Sequence, residues 1–156
     1  MRTLVPLLLA VGAGLVGGVF FAFSSFVMKA LSQLPGEQGV AAMQRINVVV
    51  LNPLFLGLFA GTALIAGLCG VGAVLAWGSM RSAWLLAAAV LYVAGCFGVT
   101  AAFNVPRNER LARLPPDSAE AAAYWPVYLK QWLWWNHVRT VAAAACAAAA
   151  SVSLAR

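Results

Sequence analysis

The sequence predicts an all-α protein, a four-transmembrane-helix bundle with short interfacial helices in its two long loops. Three observations predict it. Of 156 residues, 63% are hydrophobic. Only 9% are charged, against about 25% in a soluble domain, too few to cover a globular surface. The charge-free stretches are also long. There is no charge between Arg2 and Lys29, Arg45 and Arg81, or Arg81 and Arg107, and only Arg139 between Gln131 and Ala155. About 20 apolar residues carry a helix across the hydrocarbon core, so each stretch suffices. Alternating strands are absent, which excludes a β-barrel. A secreted disulfide scaffold, a disordered chain and an ordinary cytosolic enzyme are excluded by composition. One integral membrane domain is expected over residues 1–156, with the lipid bilayer as its first partner. The net charge of +6 sits at the ends of apolar runs, where membrane topology wants it, so no nucleic acid is expected.

The first span is placed near Leu4–Met28. It is too long for a signal-peptide core and lacks a clear small-x-small cleavage site, so it reads as a retained helix. Small residues recur at every fourth position, Ala10, Gly14, Gly18 and Ala22, a spacing that lets helices approach closely in lipid. The loop Lys29–Asn52 carries Leu34-Pro35-Gly36-Glu37 and then an amphipathic helix. Val40, Met43, Ile46, Asn47 and Val50 share its inner face. That helix should end at Asn52-Pro53, with Asn52 capping and Pro53 starting the second span, near Pro53–Trp77. The second span has small residues at Gly57 and Gly61, and Gly78–Ser82 is a tight turn.

The third span lies near Ala83–Val105. The loop Pro106–Gln131 holds Leu114-Pro115-Pro116-Asp117, a capping box from Asp117 to Glu120, and a helix interrupted or kinked near Trp125-Pro126. The fourth span lies near Trp132–Leu154, with a small-residue run Ala142–Ala150 broken only by Cys146. Cys69, Cys96 and Cys146 have no metal-ligand or redox spacing. They read as small packing residues.

Each half thus reads as a span, a Leu-Pro-acidic turn, an interfacial helix and a span opening with Asn, where Asn52 corresponds to Asn136. This is either a weak parallel repeat or a chance likeness. Basic residues set the orientation. Lys29, Arg45, Arg107, Arg110, Arg113 and Lys130 lie in the long loops, against Arg2, Arg81 and Arg156 opposite. Six against three puts the long loops in the cytoplasm and both termini outside. The expected location is a bacterial inner or plasma membrane.

Polar side chains inside a membrane are costly and mark function. Ser24 and Ser25 end the first span, after Phe20, Phe21 and Phe23. Asn47 and Asn52 precede the second. Thr100, Asn104 and Asn108 end the third, and Trp132, Trp134, Trp135, Asn136, His137, Arg139 and Thr140 open the fourth. With alternating directions, all of these lie at the loop end of the bundle. The expectation is a polar, aromatic-lined cavity at one side of a dry bundle.

The fourth span is the most informative. Trp132, Trp135, Asn136 and Arg139 share a face at helical spacing. No carboxylate lies within any span, so Arg139 either holds an anionic ligand or intermediate, or snorkels to the interface. His137 is the only histidine and sits off that face. Alone it is a poor metal site. It is either a general base or an interhelical hydrogen-bonding group. Three tryptophans in four residues either stack on a flat aromatic ligand or form an interfacial belt.

Four strings carry a resemblance. They are Gly17-Gly18-Val19-Phe20-Phe21-Ala22-Phe23-Ser24-Ser25-Phe26, then Ala42-Met43-Gln44-Arg45-Ile46-Asn47 with Asn52-Pro53, then Phe103-Asn104-Val105-Pro106-Arg107-Asn108, and Trp132-x-x-Trp135-Asn136-His137-Val138-Arg139-Thr140. Together they resemble the anthrone oxygenase-like family of small four-span membrane proteins, over about residues 12–142. Members in fungal polyketide pathways oxidise anthrones to anthraquinones, while most bacterial members have no assigned role. Arg107 departs from the apolar residue expected there and adds charge at the cavity mouth.

Two functions from different classes follow. The first is an oxygenase taking a flat phenolic or anthrone-type aromatic and molecular oxygen. His137 would be the base. Arg139, Asn136 and Asn104 would stabilise the oxyanion. Trp132 and Trp135 would hold the ring, with Asn47, Asn52, Asn108, Phe23, Ser24 and Ser25 lining the site. No cofactor is expected beyond molecular oxygen as co-substrate, with an unrecognised metal or haem as the open alternative. The second is a non-enzymatic membrane module, either a lipid or quinone binder or an accessory subunit, whose polar cluster is interhelical glue. The many small residues also permit a homo-oligomer.

Overall fold

The computed structural model describes residues 3–156, and no strand occurs among them. Arg2, counted above in the orientation argument, lies outside the described residues. Helix α1 is Leu4–Ser32, α2 is Gly36–Val49, α3 is Pro53–Leu75, α4 is Met80–Ala112 and α5 is Ala119–Leu154. The four long helices are each apolar and long enough to cross a membrane. The chain is a multi-pass membrane protein built as a four-helix bundle. Helix α1 packs on α5 and α3, and α4 packs on α5 and α3, so the long helices close a ring. Helix α2 lies across the loop end, against α5 and the ends of α1 and α4.

Two apolar clusters fill the ring. One, through the middle of the membrane, includes Leu9, Val16, Phe20, Phe59, Tyr92 and Cys146. The other, under α2, includes Met28, Val40, Met43, Leu111, Tyr128 and Trp132. Large apolar residues such as Leu15, Leu64 and Val141 stay exposed, as a surface facing hydrocarbon requires. Cys69, Cys96 and Cys146 are all buried and free.

Several expectations hold and several need correction. The break at Asn52-Pro53 is present. Asn52 is extended, and its side chain accepts from the Phe55 amide. The turn after α3 uses Gly78 at φ +121, a backbone region glycine enters without strain. Ser79 then caps α4.

The close-packing stripe of α1 is displaced. Side chains added at Gly14 and Gly18 would meet nothing, whereas one at Gly17 would lie 3.3 Å from the Ala143 methyl. Gly57 and Gly61 are likewise open. Spacing by fours appears on more than one face of a glycine-rich helix, and the buried face here also carries Leu9, Ala13, Val16 and Phe20.

Helix α4 does not stop at Val105. It continues through Pro106 to Ala112, after π-helical stretches at Leu91–Gly98 and Thr100–Asn104. Helix α1 has a π turn as well, at Phe23–Val27. Helix α5 is not interrupted at Pro126. The missing N–H there costs a hydrogen bond. Trp125 packs into the notch at Gly39, where an added Cβ would lie 2.9 Å from the indole, and stacks on Tyr128. The capping residue of α5 is Ser118, which accepts from the Ala121 amide at 3.1 Å, and not Asp117. Glu120 remains in the first turn, where the helix dipole favours it. The two halves are therefore unlike at their corresponding asparagines. Asn52 caps a helix start, and Asn136 is buried inside an unbroken helix.

Candidate functional site

The expected single cavity resolves into separate groups of polar residues that largely satisfy one another. The central group joins α1, α4 and α5. Asn136 is fully buried. Its amide nitrogen donates to the Phe20 carbonyl at 2.8 Å and to Ser24 Oγ at 2.7 Å. Its amide oxygen accepts from Arg139 Nε at 2.9 Å. Arg139 Nη1 reaches Thr100 Oγ1 at 3.4 Å. The Thr140 hydroxyl donates to the Asn136 carbonyl at 2.7 Å and lies 3.1 Å from Ser24 Oγ. His137 Nδ1 lies 2.9 Å from the same Ser24 Oγ.

The local reasons are simple. Helical spacing turns Asn136 and Arg139 inward and His137 outward, toward α1. The π turn at Phe23–Val27 carries Ser24 at the level of Asn136. Such turns are frequent at functional sites. Arg139 does not snorkel. It is 5% exposed, and its guanidinium lies over the Phe20 and Trp132 rings. Among the described residues it meets no carboxylate, and its Nη2 makes no hydrogen bond.

A second group lies between α4 and α5, toward α2. Asn108 Oδ1 accepts from the Tyr128 hydroxyl and from the Trp132 indole N–H, both at 2.8 Å. Asn104 is fully buried and donates to the Trp132 carbonyl at 3.2 Å, leaving its Oδ1 without a partner. Asn47 Nδ2 is the other buried polar atom without one. Trp135 stacks on Phe103 with ring centroids 3.6 Å apart, and Phe23 leans on Trp132 at 5.5 Å. Arg107 is tied to the Phe103 carbonyl and Gln131.

Two predicted residues stay apart from these groups. Asn52 is exposed, and its hydrogen bonds are to Val49 and Phe55. Ser25 is exposed, and its hydroxyl returns to the Phe21 carbonyl. The sequence reading missed Tyr128, although it precedes Trp132 by one helical turn. It also missed Phe20 as the wall of the guanidinium, which no local pattern signals.

The central group has an opening. A cleft of about 370 Å³, lined by Phe21, Ser24, Ser25, His137, Thr140 and Val141, lies on the outer side of the α1–α5 contact. Ligand sites commonly measure about 300–1,000 Å³. A shallow depression at the loop end, lined by Glu37, Gln38, Ala41, Pro116 and Asp117, is remote from the polar groups. No three His, Cys, Asp or Glu side chains among the described residues converge as a metal site.

The model of the anthrone oxygenase family matches residues 50–149. The chain belongs to the anthrone oxygenase family. The matched stretch takes in α3, α4 and nearly all of α5, with the Phe103–Asn108 and Trp132–Thr140 strings, and leaves α1 and α2 outside. No curated protein and no solved structure matched the chain. Membership in the anthrone oxygenase family points to an oxygenase-like function, and the residues the family match shares with the central group are Thr100, Asn136, His137, Arg139 and Thr140.

Proposed function

We propose that this protein oxidises a lipid-soluble, flat phenolic or anthrone-type aromatic with molecular oxygen in the His137 cleft. One observation supports this above the others. The sole histidine lines a cleft open to the bilayer side of the bundle, and a buried cation without a carboxylate stands one residue behind the serine it contacts. A substrate dissolved in the bilayer reaches such a cleft sideways, without crossing water.

The chemistry suits these groups. An anthrone methylene is acidic because its carbanion is an aromatic enolate. His137 Nε2 removes the proton. The Arg139 charge, in surroundings of low dielectric, lowers the cost of negative charge in the cleft. The electron-rich carbanion then reacts with dioxygen. Overall, one CH₂ becomes C=O, one O₂ is consumed and one H₂O is released. The scheme assigns no cofactor. Trp132, under the guanidinium, acts in it as packing for the cation, while Trp135 stacks on Phe103.

The second reading is a non-enzymatic membrane module. It is favoured by how completely Asn136 is satisfied by Phe20, Ser24 and Arg139. The test is anthrone-dependent oxygen uptake by the purified protein, with and without a chelator. We expect uptake that resists the chelator and falls roughly 10²–10⁴-fold in His137→Gln, the loss typical of removing a general base. No uptake with anthrones or hydroquinones leaves the module reading. Uptake abolished by chelator replaces the scheme with metal chemistry.

A further inference from the structure

The hydrogen bonds around Ser24 run in one direction. Arg139 can only donate, so Asn136 Oδ1, 2.9 Å from Nε, must accept. That fixes the orientation of the amide. The Phe20 carbonyl, which can only accept, agrees with it. Asn136 Nδ2 therefore donates to Ser24 Oγ. The Thr140 proton is committed to the Asn136 carbonyl at 2.7 Å, so toward Ser24 the threonine oxygen can only accept.

Ser24 has one proton and two places to send it. Sent to Thr140 Oγ1, it leaves the serine lone pairs to receive Asn136 Nδ2–H and His137 Nδ1–H, and every contact is made. Sent to His137 Nδ1, it leaves the 3.1 Å Ser24–Thr140 contact without a proton, or takes the Thr140 proton from the Asn136 carbonyl. In a membrane an unmade polar contact has no water to replace it. A free histidine side chain favours the other tautomer, with the proton on Nε2.

We infer that Arg139, Asn136, Ser24 and Thr140 form a hydrogen-bond chain, each donating to the next, that leaves Ser24 only lone pairs for His137 and so holds it as the Nδ1–H tautomer, with Nε2 as the proton acceptor in the cleft. Ser24 and Asn136 are then positioning residues, and they explain why a base needs a buried arginine that does not touch it. The positioning role rests on the reading of His137 as base. The tautomer itself does not. No covalent step is involved. When Nε2 accepts a substrate proton, the imidazolium keeps its Nδ1–H bond to Ser24, and the chain needs no rearrangement.

The sole histidine makes the test clean. The full chain is labelled with ¹⁵N-histidine, placed in lipid nanodiscs and observed by NMR at alkaline pH, where imidazole is neutral. We expect a protonated Nδ1 and an unprotonated Nε2. Ser24→Thr should keep that pattern. Ser24→Ala should move the population toward Nε2–H. So should Thr140→Val, which removes the acceptor of the serine proton and frees it for Nδ1. A wild type protonated on Nε2, or a pattern unmoved by both Ser24→Ala and Thr140→Val, overturns the inference. If the wild type is Nδ1–H but takes up no oxygen with any anthrone, the tautomer stands and the oxygenase reading falls. If uptake is brisk while Nε2 carries the proton, the tautomer falls and the oxygenase reading stands.

Discussion

The Arg139 guanidinium carbon lies 3.9 Å from the centre of the Phe20 ring. The Trp132 ring, at 4.8 Å, also faces it. The two rings come from α1 and α5. A planar cation can meet both and still send Nε to Asn136, because its donors lie in the plane and its faces are free.

This geometry separates two substitutions. Arg139→Lys keeps the charge and its desolvation cost but loses the planar fork and the stacked faces. Arg139→Met removes the charge, keeps apolar volume, and leaves the Asn136 oxygen unpaired at about 1–3 kcal/mol. Replacing a buried charge by an apolar residue of similar size offsets part of that loss. We expect the lysine variant to show the larger drop in thermal unfolding temperature in detergent. The opposite order would mean that charge, not shape, holds the helices here.

Asn52 serves α3 as its cap. Asn52→Ala should lower stability by about 1 kcal/mol, the usual value of a capping side chain, and leave oxygen uptake per folded molecule unchanged. Lost uptake at unchanged stability would return Asn52 to the site.

The displaced stripe on α1 gives a contrast between glycines. A side chain at Gly95 would meet the Ala142 methyl at 2.8 Å, while one at Gly14 or Gly18 meets nothing within 4 Å. Gly95→Val should destabilise by about 1–3 kcal/mol through overpacking. Gly14→Leu and Gly18→Leu should unfold within a degree or two of wild type. A large loss at Gly18 would place another helix against that face.

Orientation is read with accessible cysteines in a cysteine-free background. Asp117 and Ala155 are exposed at opposite ends of α5. From the positive-inside bias, we expect an impermeant thiol reagent added outside intact cells to label Ala155→Cys and to spare Asp117→Cys. The reverse pattern inverts the topology.

The fold was legible because hydropathy alone separates lipid-facing helices from loops, and Asn52-Pro53 and Gly78 are strong local signals. The inward turn of Asn136 and Arg139 followed from spacing. The π turns were not legible, because no residue type demands an i→i+5 bond and packing selects it. Nor was the Ser24 contact, which joins residues more than a hundred positions apart. Pro126 misled because its local cost is outweighed by the burial of Trp125 against α2.

The π stretch at Thr100–Asn104 has a geometric consequence. In an α-helix, residues four apart run ahead of one another by about 40°, so a polar row drifts sideways along the helix. A π turn winds more slowly and lags by a comparable amount. Between Thr100 and Asn104 the row lags, and between Asn104 and Asn108, where α geometry resumes, it advances. The two errors cancel like the offsets of a vernier. Thr100 meets Arg139, Asn104 the Trp132 carbonyl and Asn108 Tyr128, so three polar side chains spaced by fours on α4 all keep to the side of α5.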